Sequence, residues 1–157
     1  MFLCDVLPPK LIKIGLESTD KDEVFEEMVD YFCRVSKNND RKAILEALWD
    51  RENKMSTGIQ KGIAVPHGKT DILDDVYCVL GISKKGIDYE ALDDQPVYLL
   101  FMLIAPNKDS EKHLRLLKRL AGLLDNEKFY NELVLQVEPG AAHDVIKKYE
   151  ELYIGNF

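Results

Sequence analysis

The chain has 157 residues, about the size of one domain, and a chain of this length buries enough surface to fold without disulfides or a metal. Hydrophobic residues make up 46% and charged residues 31%, which is typical of a globular protein and unlike a disordered one. The net charge of −7, with no long Lys or Arg run, argues against nucleic acid as a partner. We therefore expect one domain over residues 1–157 and a protein partner with a basic patch, since complementary charge speeds encounter.

Three features of the sequence predict a cytoplasmic protein. The longest apolar run, residues 97–106, is far shorter than the roughly 20 residues that a membrane helix needs, so no membrane insertion is expected. The amino terminus lacks the basic start and long apolar stretch of a signal peptide. Cys4, Cys33 and Cys78 are widely spaced and form no CxxC pair, which is typical of reduced thiols in the cytosol.

The first 52 residues predict one short strand and two helices. Residues 11–16 alternate in the manner of a strand. A helix capped by Ser18, Thr19 or Asp20 is expected next. Its apolar stripe comprises Val24, Phe25, Met28, Val29, Phe32 and Val35. A polar turn at 37–40 follows, and Asp40 is expected to cap a second helix. The buried side of that helix comprises Ile44, Leu45, Leu48 and Trp49.

The rest of the chain predicts several strands followed by three helices. A loop at 56–62 leads to a short buried strand at 63–65, which Pro66 ends. A strand is expected at 76–83, then a turn-rich stretch at 84–96 with an extended piece at 87–89. The apolar run at 97–105 predicts a central strand covered on both faces. Helices are expected at 109–125, from 126 to about 137 and from 140 to about 153. The predicted fold class is α/β, a single mixed sheet of about five strands flanked by helices on both faces.

The segment 62–70 is close to a P-loop but has five residues between its glycines where that motif has four. Pro66 lies inside it and has no N–H to offer a phosphate, so we expect no nucleotide binding. The segment instead presents an exposed imidazole, His67, at the edge of a sheet, with Gly68 leaving room beside it. Such a histidine suits nucleophilic chemistry or ligand contact. Spacing alone does not separate this interpretation from a loop histidine with a satisfied hydrogen bond.

The other two histidines give weaker signals. His113 falls in the first turn of the predicted helix 109–125, where the helix dipole disfavours imidazolium and favours a nearby anion. Its alignment with Leu117 and Leu120 favours a partly buried core histidine. His143 is expected at the surface. The His and Cys spacings fit no metal site, so neither a metal nor an organic cofactor is predicted. The basic residues expected mostly on the solvent side of the 109–125 helix are Lys112, Arg115, Lys118 and Arg119.

Several motifs occur together and in one order. They are Arg51-Glu52, the runs 56–59 and 62–68, the run 86–93, Gln95-Pro96-Val97 and the run 113–117 that begins His-Leu-Arg. In this combination the chain resembles the IIA domains of the phosphoenolpyruvate-dependent sugar phosphotransferase system, of the mannitol/fructose/nitrogen-regulatory type. The resemblance covers nearly the whole chain and weakens before about residue 18 and after about residue 135.

The resemblance implies a mixed sheet flanked by helices and a phosphotransferase activity. It implies that His67 is the phosphorylated nucleophile, and that His113 and Arg51 stabilise the phosphoryl group. The donor implied is the histidine-containing phosphocarrier protein. The run 56–59, the run 62–69 and the solitary domain favour a free-standing nitrogen-regulatory IIA protein whose partner is a regulatory target. The alternative is the IIA component of a fructose/mannitol-type sugar transporter that passes phosphate to a separate IIB cysteine.

Overall fold

The computed structural model describes residues 1–38 and 40–153. Its strands are β1 (Ile12–Ile14), β2 (Gly58–Gln60), β3 (Ile63–Ala64), β4 (His67–Lys69), β5 (Tyr77–Ile87) and β6 (Val97–Ala105). Its helices are α1 (Lys21–Ser36), α2 (Arg41–Glu52), α3 (Ser110–Leu124), α4 (Glu127–Val134) and α5 (Pro139–Leu152). None of the helices in the described part of the chain has the length and hydropathy needed to cross a membrane.

The strands form one mixed sheet in the order β1-β5-β6-β3-β2, and β4 also pairs with β6. β5 and β6 are antiparallel, whereas β1 runs parallel to β5, and β3 and β4 run parallel to β6. Every residue of β6 is buried except Tyr98, which is half-buried. Because successive side chains of a strand point to opposite faces, both faces of the sheet are covered at β6. The predicted α/β class and the predicted central strand are both confirmed.

The helix starts follow the predicted caps. The Asp20 carboxylate accepts a hydrogen bond from the backbone N–H of Glu23 at 2.9 Å, so it caps α1, and Asp40 caps α2 in the same way. The predicted stripe of α1 is buried, apart from Val35, which is half-buried. Of the predicted turn at 37–40, Asn39 lies outside the described residues. α1 packs on β5, α3 on β6 and α5 on β1.

Two predicted loops contain more strand than expected. Residues 58–60 form β2, which pairs with β3 through a tight turn at Lys61 (φ 49°) and Gly62 (φ 84°). Two consecutive residues with positive φ match the twist of a two-residue hairpin, and this local geometry joins the predicted loop to the sheet. β5 continues to Ile87, beyond the predicted end at residue 83. A register shift after Ile82 and the positive φ of Gly86 let the strand stay paired across a stretch that looks turn-like in sequence.

Candidate active site

His67 is the first residue of a short strand, β4, which pairs with β6. After Pro66 the chain rejoins the sheet as β4, and His67 pairs with Leu103 of β6. The Pro66 carbonyl accepts from the backbone N–H of Leu103 at 3.0 Å, so the proline stays within the ladder as an acceptor. The His67 side chain is half-buried, which corrects the sequence-based expectation of an exposed imidazole. Its backbone pairs with β6, which is buried at every residue except Tyr98.

Gly68 brings α2 against β4. A Cβ at this position would lie 2.7 Å from both the carbonyl carbon and the carbonyl oxygen of Ala47, a contact that real Cβ atoms do not make. The glycine therefore makes room for the backbone of α2, and not for a group bound to His67 as the sequence suggested. This close approach sets the carboxyl end of α2, which carries Arg51, beside the strand that carries His67.

The His67 ring has one nitrogen engaged and one available. Nδ1 lies 2.8 Å from the carbonyl oxygen of Val65. A carbonyl only accepts, so Nδ1 carries the proton and Nε2 keeps its lone pair. Burial lowers the pKa of His67 below 6.5, the Val65 hydrogen bond opposes this, and Arg51 lowers the pKa further. The ring is therefore neutral at pH 7, with Nε2 free to act as a nucleophile.

His113 faces His67 from the first turn of α3. The side chain is buried, at 5% exposure, and the two ring centroids are 5.7 Å apart at an angle of 61°. Burial, and then the nearby His67, lower the pKa of His113 from 6.5 to about 4. Its Nδ1 has no hydrogen-bond partner among the described residues. Because a buried N–H is rarely left without an acceptor, we assign the lone pair to Nδ1 and the proton to Nε2.

Arg51 closes the third side of the site. Its Nη1 donates to the carbonyl oxygen of Met55 at 2.8 Å. The next residue, Glu52, is buried and accepts hydrogen bonds from the Thr57 backbone N–H at 2.7 Å and the Tyr89 hydroxyl at 2.9 Å. Glu52 thus ties the chain after α2 back to the helix end, which keeps Arg51 beside its neighbouring loop.

One cleft of about 540 Å³ is lined by all three residues that the sequence singled out, His67, His113 and Arg51. Lys54 and Lys69 line it too, and neither they nor Arg51 form an ion pair with a carboxylate in the described part of the chain. Elsewhere cations pair with acids, namely Lys13, Lys21, Arg41, Lys61, Lys112, Arg115, Arg119 and Lys148. Asp50 also lines the cleft, so three cations face one carboxylate, and a net positive charge remains that an incoming anion can neutralise.

The sequence did not identify Lys69 as a site residue, and it placed Arg119 on the wrong side of its helix. Lys69 was not assigned to the site, although in a strand it shares a face with His67, two residues earlier. Arg119 was expected mostly toward solvent, but it packs inward and pairs with the buried Glu150 at 3.0 Å. His143 is half-buried and lies outside the cleft. Across residues 1–38 and 40–153, no group of three or more His, Cys, Asp or Glu residues is placed to share a metal ion.

Comparison with known proteins places these features in a family. Residues 5–149 match the family model described as phosphoenolpyruvate-dependent sugar phosphotransferase system, EIIA 2. The chain is 38% identical over 96% of its length to the fructose-specific EIIABC component of Bacillus subtilis (strain 168), and spans 24% of that protein. It is 32% identical to the fructose-specific EIIA component of Haloferax volcanii and 30% identical to a nitrogen regulatory protein of Bradyrhizobium diazoefficiens. Each of these two alignments covers 93% of this chain and 95% of the relative.

Solved structures of other proteins share this fold. Nitrogen regulatory protein IIA-Ntr from Neisseria meningitidis superposes with a TM-score of 0.84 at 25% identity, covering 90% of this chain and 97% of that one. Enzyme IIA-Mtl of Escherichia coli, solved in complex with phosphorylated enzyme IIB-Mtl, superposes with a TM-score of 0.72 at 19% identity, covering 88% and 95%. With the family model spanning most of the chain, the protein belongs to the EIIA 2 family of the phosphoenolpyruvate-dependent sugar phosphotransferase system.

Proposed function

We propose that this chain is a phosphocarrier that accepts a phosphoryl group on Nε2 of His67 from the histidine-containing phosphocarrier protein. The observation that carries the proposal is the 2.8 Å contact between His67 Nδ1 and the Val65 carbonyl, which leaves Nε2 as the nucleophile in a cation-lined cleft. Residues 1–157 would act as one domain. We place the reaction in the cytoplasm, where the unpaired Cys4, Cys33 and Cys78 stay reduced.

The transfer needs no proton movement at His67. The Nε2 lone pair forms the new P–N bond while the P–N bond in the donor breaks, and that electron pair returns to the donor imidazole. The Nδ1 proton stays on His67, and its hydrogen bond to Val65 stabilises the positive charge that the ring gains. The protein's contribution is then to hold the ring in place and to neutralise the phosphoryl oxygens.

Arg51 and His113 would supply that neutralisation. Arg51 now donates to a neutral carbonyl oxygen, that of Met55, and a phosphoryl oxygen is the stronger acceptor for a guanidinium. His113 offers the Nε2 proton assigned above, from a ring that lies beside His67. Removing one well-placed donor of this kind typically lowers the rate by roughly 100-fold or more.

The test is incubation with phosphoenolpyruvate, enzyme I and the phosphocarrier protein, followed by intact-mass and peptide mass analysis. We expect one acid-labile, base-stable phosphoryl group on His67. His67→Ala should take up none, while His143→Ala, which changes a histidine outside the cleft, should take up one. Label on the His67→Ala protein, or no label on the wild type, would contradict the proposal.

For the destination of the phosphate, the nitrogen-regulatory role is our first choice. The fold superposes more closely on the Neisseria nitrogen regulatory protein than on the mannitol IIA enzyme. In this role the phosphorylation state of His67 would control binding to a target protein. The second candidate is transfer to a IIB cysteine of a fructose-type transporter. It is favoured by the 38% identity to the Bacillus fructose-specific component.

Mixing the phosphorylated chain with purified fructose-type and mannitol-type IIB domains separates the two roles. If His67 loses its label and a IIB cysteine gains it within seconds to minutes, the transport role is correct. If the label returns only to the phosphocarrier protein and no IIB domain accepts it, the regulatory role is supported. A IIB cysteine-to-serine variant is the matched control, since it lacks the thiol that would accept the phosphoryl group.

A further inference from the structure

Lys69 lies on the same face of β4 as His67. Two residues of strand separate their Cα atoms by about 6.6 Å, a distance that the four methylenes of a lysine can span. Its Nζ donates to the Ser110 hydroxyl oxygen at 3.3 Å, at the start of α3. That hydroxyl in turn donates its proton to the Asn107 carbonyl at 2.8 Å, a hydrogen bond that does not depend on Lys69. The lysine is thus held near His67 by one long contact to a neutral group.

The charge of Lys69 already acts on both rings of the site. It is among the charges that lower the pKa of His67 and that of His113, and it lines the same cleft. Lys112, in the first turn of α3, does not line the cleft and pairs instead with the Asp75 carboxylate at 2.8 Å. Of these two lysines, only Lys69 can take up an anion without giving up an ion pair.

We propose that Lys69 moves from the Ser110 hydroxyl to an oxygen of the phosphoryl group on His67, and that it is a second catalytic cation beside Arg51. The inference rests on the proposed function. Arg51 reaches the cleft from α2 and Lys69 from β4, so the two cations come from different elements. A dianionic phosphoryl group is a stronger acceptor for an ammonium than a hydroxyl, and this difference drives the movement. Lys69 keeps its three protons throughout, while the P–N bond forms at His67 and breaks in the donor.

The test is a single-turnover comparison at varied concentrations of the phosphorylated donor protein, with wild-type labelling established first. Here kcat is the rate constant of phosphoryl transfer at saturating donor, and KM is the donor concentration that gives half of that rate. Lys69→Met keeps the length of the side chain and removes its charge. We expect kcat to fall about 10- to 100-fold, with KM changed less than about threefold. Lys69→Arg should recover most of the lost kcat, because it restores a cation within reach.

Two further variants separate a catalytic role of Lys69 from a nonspecific effect of surface charge and from a structural role. Lys118→Met removes an exposed lysine of α3 outside the cleft and should keep wild-type kcat and KM. Ser110→Ala removes the resting contact of Lys69 and the hydrogen bond to the Asn107 carbonyl. Because neither contact reaches the phosphoryl group, kcat should stay within about threefold of wild type.

Three outcomes would overturn the inference. In the first, Lys69→Met keeps kcat and only raises KM, which means a docking role. In the second, Ser110→Ala loses as much kcat as Lys69→Met, which means that the resting contact is structural. In the third, Lys69→Arg recovers nothing. A labelled wild type with an unchanged Lys69→Met variant would reject this inference alone, whereas an unlabelled wild type would reject the proposed function with it.

Discussion

Two groups of polar residues, one around Glu150 and one in the cleft, differ in how many of their polar atoms have hydrogen-bond or ion-pair partners. Glu150, at 1% exposure, accepts from the backbone N–H groups of Leu3 at 2.6 Å and Cys4 at 2.9 Å, and it pairs with Arg119. In the cleft, by contrast, Arg51 and Lys69 donate to neutral oxygens, and His113 Nδ1 has no hydrogen-bond partner among the described residues. A complete set of partners stabilises the fold, whereas an incomplete one leaves capacity for a ligand. We therefore expect Glu150 to act mainly on stability and the cations of the cleft to act mainly on phosphoryl transfer.

Glu150 gives the largest expected effect on stability. Glu150→Ala removes the buried carboxylate that pairs with the half-buried Arg119 and that accepts from two backbone N–H groups. We expect the free energy of unfolding to fall by about 3–5 kcal/mol, measured by urea denaturation. The adjacent Glu151→Ala changes an exposed residue and should shift stability by less than about 0.5 kcal/mol.

The same pair of variants tests whether a buried charge with a full set of partners has a structural role. If Glu150→Ala unfolds at the same urea concentration as Glu151→Ala, a full set of hydrogen-bond and ion-pair partners does not indicate a structural role. Wherever the Glu150→Ala protein remains folded, its phosphorylation rate per folded molecule should match wild type, because Glu150 does not line the cleft.

Arg51, unlike Glu150, should affect the phosphorylation rate much more than the stability of the fold. Arg51→Met removes a cation whose observed hydrogen bond is to the Met55 carbonyl, so the free energy of unfolding should change by no more than about 1 kcal/mol. The phosphorylation rate should fall roughly 100-fold, or about 2.7 kcal/mol of transition-state stabilisation. Arg34→Met, on α1, is the control and should phosphorylate normally. A large loss of stability with a normal rate would place Arg51 among the structural charges.

The pH dependence of stability tests the buried state of His113. Between pH 6.5 and about pH 4 the unfolded chain protonates this histidine while the folded protein does not. Unfolding therefore becomes more favourable as the pH falls through this window, and the full stability is present above about pH 6.5. The contribution is on the order of 2–3 kcal/mol. Urea denaturation of wild type and His113→Gln across pH 4–7 should show a shallower dependence in the variant, and equal slopes would contradict it.

The smallest effect concerns the contact that assembles the cleft. Gly68→Ala drives a methyl group into the Ala47 carbonyl, so α2 must shift, and the free energy of unfolding should fall by about 1–3 kcal/mol. The rate should fall as well, because Arg51 moves with α2. Gly140→Ala is the matched control, since a Cβ there meets no atom within 4 Å, and it should be neutral or stabilising. If the two variants had equal stability and equal phosphorylation rates, a shift of α2 would not affect the fold or the cleft.

Local rules predicted much of the fold. The cap at Asp20, the apolar stripe of α1 and the unbroken run of β6 depend on residues close together in the chain, and each has the structure expected. Local rules did not predict the site. Spacing left His67 undecided and favoured a core role for His113, and only the ordered motifs of the family suggested that these residues and Arg51 act together. The structure brings them into one cleft, which leaves their chemical roles to experiment.

The missed features depend on contacts between distant parts of the chain. β4 is three residues long and contains a glycine, and it exists because it pairs with Leu103, 36 residues after His67. Arg119 points inward because Glu150, on another helix, is buried beside it. Lys69 looks like any surface lysine until β4 and the start of α3 are placed together. No periodicity within a single element reports such pairings.

The cations of the cleft also shape the electric field around the protein. The chain carries a net charge of −7, yet Arg51, Lys54 and Lys69 lie together at one cleft. Such a separation of charge turns an approaching phosphorylated donor so that its anionic group meets the cleft first, which raises the fraction of productive collisions. The effect weakens when salt shortens the range of the field to about 8 Å near 0.15 M. Raising the ionic strength should therefore slow encounter with the donor while leaving the bond exchange itself nearly unchanged.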